Sequence, residues 1–271
     1  MRGPLLEPVL RRDRAVVIAA LALITVLAWL YVLYLALEMS APGMQMSGMR
    51  MVPSASTWMV SAQRPWSAAE FLLVVLMWVV MMIGMMTPSV APLMLIHARI
   101  ARQAAVAQQP FAATAWLLAG YLASWAGFSL AASTAQWALD RAALLAPDMR
   151  VPGARLAGAF LIAAGAYQWS TLKLRCLSHC QMPLTFLQMH GGFPSRPRRL
   201  LVLGMRHGLY CIGCCWALMA LLFVGGIMNV LWIAALSLLV LAEKTLPQGL
   251  RLARITGLAL AAGGAMLLLG R

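Results

Sequence analysis

Acidic residues are scarce in this chain: seven Asp and Glu among 271 residues, against 21 Lys and Arg and four His. That shortage leaves little material for paired-carboxylate acid–base hydrolysis. No H-E-x-x-H motif, Ser/His/Asp arrangement or phosphate-binding glycine loop is present either. Charge of either sign is thin, at 10% of residues, where soluble proteins carry roughly 25%. With 63% hydrophobic residues and a mean hydropathy of +0.84, the composition excludes an ordinary soluble domain. The net charge of +14 does not point to a nucleic-acid partner, because the arginines are scattered through short segments and not gathered on one polar face.

What the chain does have is long apolar runs. Seven are visible: Ala15–Leu37, Ala69–Ile96, Phe111–Leu139, Gly153–Thr171, Leu201–Val224, Ile227–Leu246 and Ile255–Gly270. Runs of about 18 or more such residues read as bilayer-crossing helices. The expectation is an all-α, polytopic membrane helix bundle with about seven transmembrane helices, forming one domain over residues 1–271 within a lipid bilayer. Pro88 and Pro92 predict that the second run bends or ends early in its last turn. The first run has no small-residue cleavage site after it and reads as a retained span. With the N-terminus (residues 1–14, including Arg11 and Arg14) in the cytoplasm, 15 Lys/Arg fall on that side and six on the other. The positive-inside rule favours this orientation. It makes residues 38–67 an external loop and residues 171–200 a cytoplasmic one.

The five cysteines then lie on the cytoplasmic side, a reducing compartment in which thiols persist. "GLYCIGCCWALM" puts Cys211, Cys214 and Cys215 on neighbouring parts of one helix surface. Gly204 and Gly208, four residues apart, allow another helix to approach that surface closely. Cys176 and Cys180 form a second pair one helical turn apart with His179 between them, at a depth similar to the first group. Thiolates and thioethers select soft ions, Cu(I) foremost, with zinc or iron also open. Met81 with Met85 and Met82 with Met86 form stripes down the second run, spacing that serves either helix packing or a soft-metal ladder. Met44, Met46, Met49 and Met51 sit in the flexible external segment "EMSAPGMQMSGMRM", where there is no core to fill. His97 and His190 read as solvated loop residues.

Three blocks, "MWVVMMIGMMTPSVAP", "YQWSTLKLRCLSHCQMP" and "GLYCIGCCWALMALLFVGGIMNVLWIAALSLLVLAEK", together resemble a bacterial domain-of-unknown-function family described as predicted metal-binding integral membrane proteins. The matching residues are Met81, Met82, Met85, Met86, Pro88, Tyr167, Gln168, Lys173, Cys176, Cys180, Pro183, Cys211, Cys214, Cys215, Trp216, Asn229, Glu243 and Lys244. The resemblance implies a multi-pass protein of the bacterial inner membrane with a metal site, and leaves its activity open.

The reading that follows is a Cu(I)-handling membrane protein. External Met residues would capture the ion, the Met ladder would carry it inward, and the cysteine cluster would hold it for transport, storage or delivery to a copper chaperone or partner metalloprotein. The pairing of an external Met-rich segment with M-x-x-x-M in a membrane helix resembles eukaryotic high-affinity copper transporters in ligand logic only. The alternative is a membrane oxidoreductase using Cys211-x-x-Cys214 at a helix start, a motif shared with vitamin-K-epoxide-reductase-like proteins. A further alternative is a structural or assembly subunit, and a homo-oligomer is compatible with each.

Overall fold

The computed structural model describes residues 6–40, 66–106, 113–145, 149–191 and 193–270. Among them there are ten helices and no strand: α1 (Leu6–Ser40), α2 (Ala68–Val106), α3 (Thr114–Arg141), α4 (Ala154–Gln168), α5 (Thr171–Gln181), α6 (Pro183–Met189), α7 (Pro197–Ala220), α8 (Leu222–Gly225), α9 (Val230–Thr245) and α10 (Gly249–Leu268). Five helical stretches are long and apolar enough to cross a membrane: Arg14–Glu38, Ala68–Ala104, Thr114–Arg141, Pro197–Gly225 and Gly249–Leu268. The helices at the other two expected spans, α4 and α9, have 15 and 16 residues. At 1.5 Å per residue each reaches only about 23–24 Å, short of a hydrocarbon core of about 30 Å.

Local sequence sets the element boundaries. Pro183 and Pro197 begin α6 and α7, where a missing N–H costs nothing. Ser170 and Asn229 cap α5 and α9 by accepting from the backbone N–H groups of Lys173 and Trp232. The run expected over 153–171 therefore breaks at Trp169 and Ser170, and the cysteine-bearing residues 171–181 form a separate helix. The early end expected for α2 is not observed: the helix runs 39 residues through Pro88 and Pro92. Pro88 cannot donate to the Gly84 carbonyl, and Trp29 of α1 supplies the missing donor, its Nε1 at 3.2 Å from that oxygen. Gly84 permits the approach, since a Cβ there would lie 3.2 Å from that of Ala28.

α2 runs through the middle of the bundle, packed against α1, α3 and α9. Its Trp78, Met81, Met82, Met85 and Met86 are all buried. The outside is apolar: Leu23, Leu27, Leu30 and Leu37 of α1, and Ile255 and Leu258 of α10, are well exposed. Exposed apolar surface on this scale has the character of a lipid- or protein-facing wall. The polar and ionisable residues Gln136, Gln168, Lys173, His207, Glu243 and Lys244 are buried instead.

The closest crossing joins α3 and α7. A Cβ on Gly120 would stand 2.0 Å from the Leu201 carbonyl oxygen, and one on Gly204 would stand 2.1 Å from that of Leu117. A Cβ on Gly208 would stand 2.6 Å from that of Ser124, so the α7 glycines read from the sequence receive α3 as their partner. A second small-residue seam, Gly158 and Gly165 against Gly264 and Gly257, joins α4 to α10.

Substituting Gly204→Val should separate α3 from α7, costing about 1–3 kcal/mol or more by overpacking. Thermal unfolding of detergent-purified protein measures the loss, with Gly127→Ala, whose Cβ would meet nothing within 4 Å, as the neutral control.

Candidate metal centre

Cys211 stands midway along α7, facing α2, α3 and α9, and its sulfur is the hub of the buried polar groups. Lys244 Nζ donates to Cys211 Sγ at 2.7 Å, and Tyr121 Oη of α3 lies 3.1 Å from the same atom. Lys244 Nζ also reaches Ser89 Oγ at 3.4 Å, Met86 Sδ at 3.9 Å and Cys215 Sγ at 4.0 Å. Tyr121 donates to the Met86 carbonyl oxygen at 3.1 Å and touches Ser89 Oγ at 3.3 Å. One ammonium, one phenol, one hydroxyl and three sulfurs thus share a buried space between four helices.

The mid-helix position changes one expectation: Cys211-x-x-Cys214 does not stand at a helix start, and it gains nothing from a helix N-terminus. The support that the oxidoreductase reading drew from that placement is gone. All five cysteines are free thiols.

The other thiols arrange themselves around Cys211. Cys214 and Cys215 both turn their S–H groups onto the Cys211 carbonyl oxygen, at 3.0 and 2.9 Å. Cys180 of α5 lies beside Cys211 and Cys214; those two neighbouring thiols first, and burial next, push its own thiol well up from the ordinary range. Cys176 packs on α7 one turn further along, its Sγ 2.8 Å from where a Cβ on Gly213 would stand, and burial pushes its thiol up as well. Tyr167 donates to the Gly213 carbonyl and pins the same stretch from α4. α5 packs on α7 and so brings the second thiol pair to it, with Cys180 beside the cluster and Cys176 bordering it. His179 does not join them. Its ring stacks on Tyr210 with centroids 4.4 Å apart and faces His190.

Among the described residues no three His, Cys, Asp or Glu side chains form a ready-made metal cage. The thiols of Cys214 and Cys215 are committed to a backbone carbonyl, so they would have to rotate about χ1 to ligate an ion together with Cys211. Met81, Met82, Met85 and Met86 are all buried, and Met86 Sδ is the one of the four that reaches the Lys244 ammonium beside Cys211. Met44, Met46, Met49 and Met51 lie outside the described residues.

Lys244 stood in the sequence among the residues that carry the family resemblance, next to Glu243, with no sign of its partner. The two do not pair with each other. Glu243 faces the other way, taking Lys173 Nζ at 2.6 Å and Gln168 Nε2 at 3.1 Å, while Gln181 Nε2 donates to its carbonyl oxygen at 2.7 Å. This pair is fully buried and locks α9 to the α4–α5 junction. Lys173 and Lys244 had been counted among cytoplasmic charges; both are buried in the bundle instead. Tyr121 and Ser89 gave no sequence signal at all, being ordinary small or aromatic residues in apolar runs. Asn229 is a helix cap, and His97 is buried in α2, 2.9 Å from Thr114 Oγ1, and not a loop residue.

The model of a family described as PpoB2, copper chaperone, matches residues 75–267. No curated protein and no solved structure matches the chain. The matched span runs from α2 through α10 and includes every residue of the centre just described.

Removing one member of a buried ion pair strands the other, at a cost of about 3–5 kcal/mol, whereas replacing both with apolar residues is often neutral. Glu243→Gln should therefore lower thermal stability sharply, and Lys173→Met combined with Glu243→Leu should recover most of it.

Proposed function

The chain belongs to the copper-chaperone family, and on that premise we propose that it binds Cu(I) inside a membrane-embedded helix bundle and hands the ion to a partner metalloprotein. The observation that carries this reading is the convergence of Cys180, Cys211, Cys214 and Cys215 beside the Lys244 ammonium, 2.7 Å from Cys211 Sγ. The protein sits in a bacterial inner membrane with its N-terminus in the cytoplasm, and the thiol-bearing helices α5 and α7 open toward the cytoplasmic segment between them.

Charge balance gives the lysine a role. Soft thiolates are the ligands of choice for Cu(I), and two of them with one Cu(I) carry a net charge of minus one. Uncompensated, that charge would cost several kcal/mol in a buried site. The Lys244 ammonium cancels it. Before loading, one thiolate and the same ammonium also sum to zero. Loading then releases one proton, from the second thiol, as thiolate ligation requires. The site is neutral in both states, so neither the bound nor the empty form is a deep trap. That suits an ion that must be passed on.

The buried Met stripes supply the route. Thioethers are neutral and bind Cu(I) more weakly than thiolates do, so an ion on Met81 and Met85, or on Met82 and Met86, is drawn on to the cysteines. Met86 completes the path, since its Sδ shares the Lys244 ammonium with Cys211. Met44, Met46, Met49 and Met51 serve as the external collectors.

Detergent-purified protein, loaded under reducing conditions and washed, should retain copper on elemental analysis. Losing a supporting partner alone lowers metal affinity by roughly 10–100-fold. Cys211→Ser with Cys214→Ser, which removes ligands, should lower it further and abolish retention. A wild-type protein that retains no copper overturns the reading. Met81→Leu with Met85→Leu should leave the fold and the equilibrium copper content unchanged but reduce copper tolerance or acquisition in cells. Normal copper handling by those cells would make the stripe a packing feature.

A further inference from the structure

Three imidazoles, His179, His190 and His207, lie near one another beside the thiol cluster, where α5, α6 and α7 meet. His179 Nδ1 lies 2.8 Å from the Arg175 carbonyl oxygen, and His190 Nδ1 lies 3.0 Å from that of Phe186. A carbonyl can only accept, so in each neutral ring the proton is on Nδ1 and the lone pair is on Nε2. This is the orientation that a backbone carbonyl imposes on metal-ligating histidines. The two rings stand edge to face with centroids 5.8 Å apart. Two imidazoles sharing one ion at a nitrogen–metal distance of roughly 2.0–2.1 Å have ring centres about 5–6 Å apart. Tyr210 holds both, stacking on His179 at 4.4 Å and placing its Oη 3.4 Å from His190 Nε2, a long contact that a metal would readily displace.

The third imidazole links this pair to the thiols. His207 is buried, 3% exposed, and its Nδ1 has no hydrogen-bond partner. It precedes Cys211 by one turn on the same face of α7, as Cys211 precedes Cys215. Its ring meets Phe186 at 4.9 Å, Phe186 in turn stacks on His190 at 4.5 Å, and on the other side it meets Tyr121, which touches Cys211. Nothing in helix packing calls for an unpartnered imidazole nitrogen at that position.

We propose that His179 and His190 form a second metal-binding site, an imidazole antechamber through which copper passes by way of His207 to and from the thiol cluster. The inference rests on the copper-binding reading for the passage, but not for the binding of metal by the imidazoles. Nitrogen ligands of intermediate softness hold copper less tightly than thiolates, so an ion lodged there exchanges quickly. The position, where α5, α6 and the middle of α7 meet, is the side from which a soluble partner would approach.

Two measurements on the full chain in detergent test this. In the first, Cys180, Cys211, Cys214 and Cys215 are changed to Ser and Cu(II) is added. Electron paramagnetic resonance should show nitrogen hyperfine coupling from two imidazoles, and His179→Gln with His190→Gln should remove it. Absence of Cu(II) binding by the folded four-serine chain, or an unchanged nitrogen signal without the two histidines, overturns the proposal. In the second, the thiols are native and Cu(I) is delivered from a chromophoric chelator in a stopped-flow mixer. His179→Gln with His190→Gln should slow loading about tenfold or more with no change in final copper content. Should the four-serine chain not fold, this second measurement decides, and an unchanged loading rate overturns the proposal. A nitrogen-coupled signal in the four-serine chain together with no copper on the native thiols would uphold the imidazole site and discard the thiol reading.

Discussion

Lys244 reaches Cys211 Sγ at 2.7 Å across the centre of the bundle, and most of the surrounding architecture can be understood as the means of placing one ammonium there. A lysine side chain buried among methionines and thiols is unfavourable unless its charge is matched. The match comes from the Cys211 sulfur, which Tyr121 of α3 also contacts, with the Ser89 hydroxyl of α2 adding a further partner. α3 must approach α7 closely for Tyr121 to meet Cys211, and Gly120, Gly204 and Gly208 allow it. α9 must present Lys244 in one rotational setting, and the Glu243 clamp fixes that setting. The glycine seam, the buried ion pair and the thiol hub are thus one arrangement.

The sequence and the folded chain agree where the physics is one-dimensional. Apolar run length marked the helices, and the i, i+3, i+4 spacing of Cys211, Cys214 and Cys215 put them on one surface because a helix repeats every 3.6 residues whatever surrounds it. Rotation and partner choice were not legible, because they depend on contacts between distant segments. The continuation of α2 through Pro88 depends on Trp29, 59 residues earlier, which supplies a donor to Gly84. The separate existence of α5 depends on Ser170 capping a new helix. His179 appeared to belong with its neighbours Cys176 and Cys180, yet on the helix its ring turns to Tyr210 and His190.

The sorting of polar groups follows the same logic. Outward-facing positions on α1 and α10 carry leucine and isoleucine, which need no partner in an apolar surrounding, and every large polar cost is concentrated where another polar group offsets it. Among the exceptions in the described residues are His97 Nε2, Trp125 Nε1, His207 Nδ1 and Gln168 Oε1, buried without hydrogen-bond partners; His207 and Gln168 belong to the polar assembly built on α7 and α9.

Glu243 and Lys244 are consecutive, yet they serve opposite sides of α9: one is clamped to the α4–α5 junction and the other is aimed at α2 and α7. Successive residues on a helix are separated by roughly 100°, so the two contacts act as a vernier on the helix's angular position. A single inserted or deleted residue upstream in α9 would leave composition, hydropathy and length nearly untouched, but it would swing the ammonium away from the sulfurs. Such a chain would still look like its relatives in every bulk property, and it would have lost the one register in which its charges and its thiols address each other.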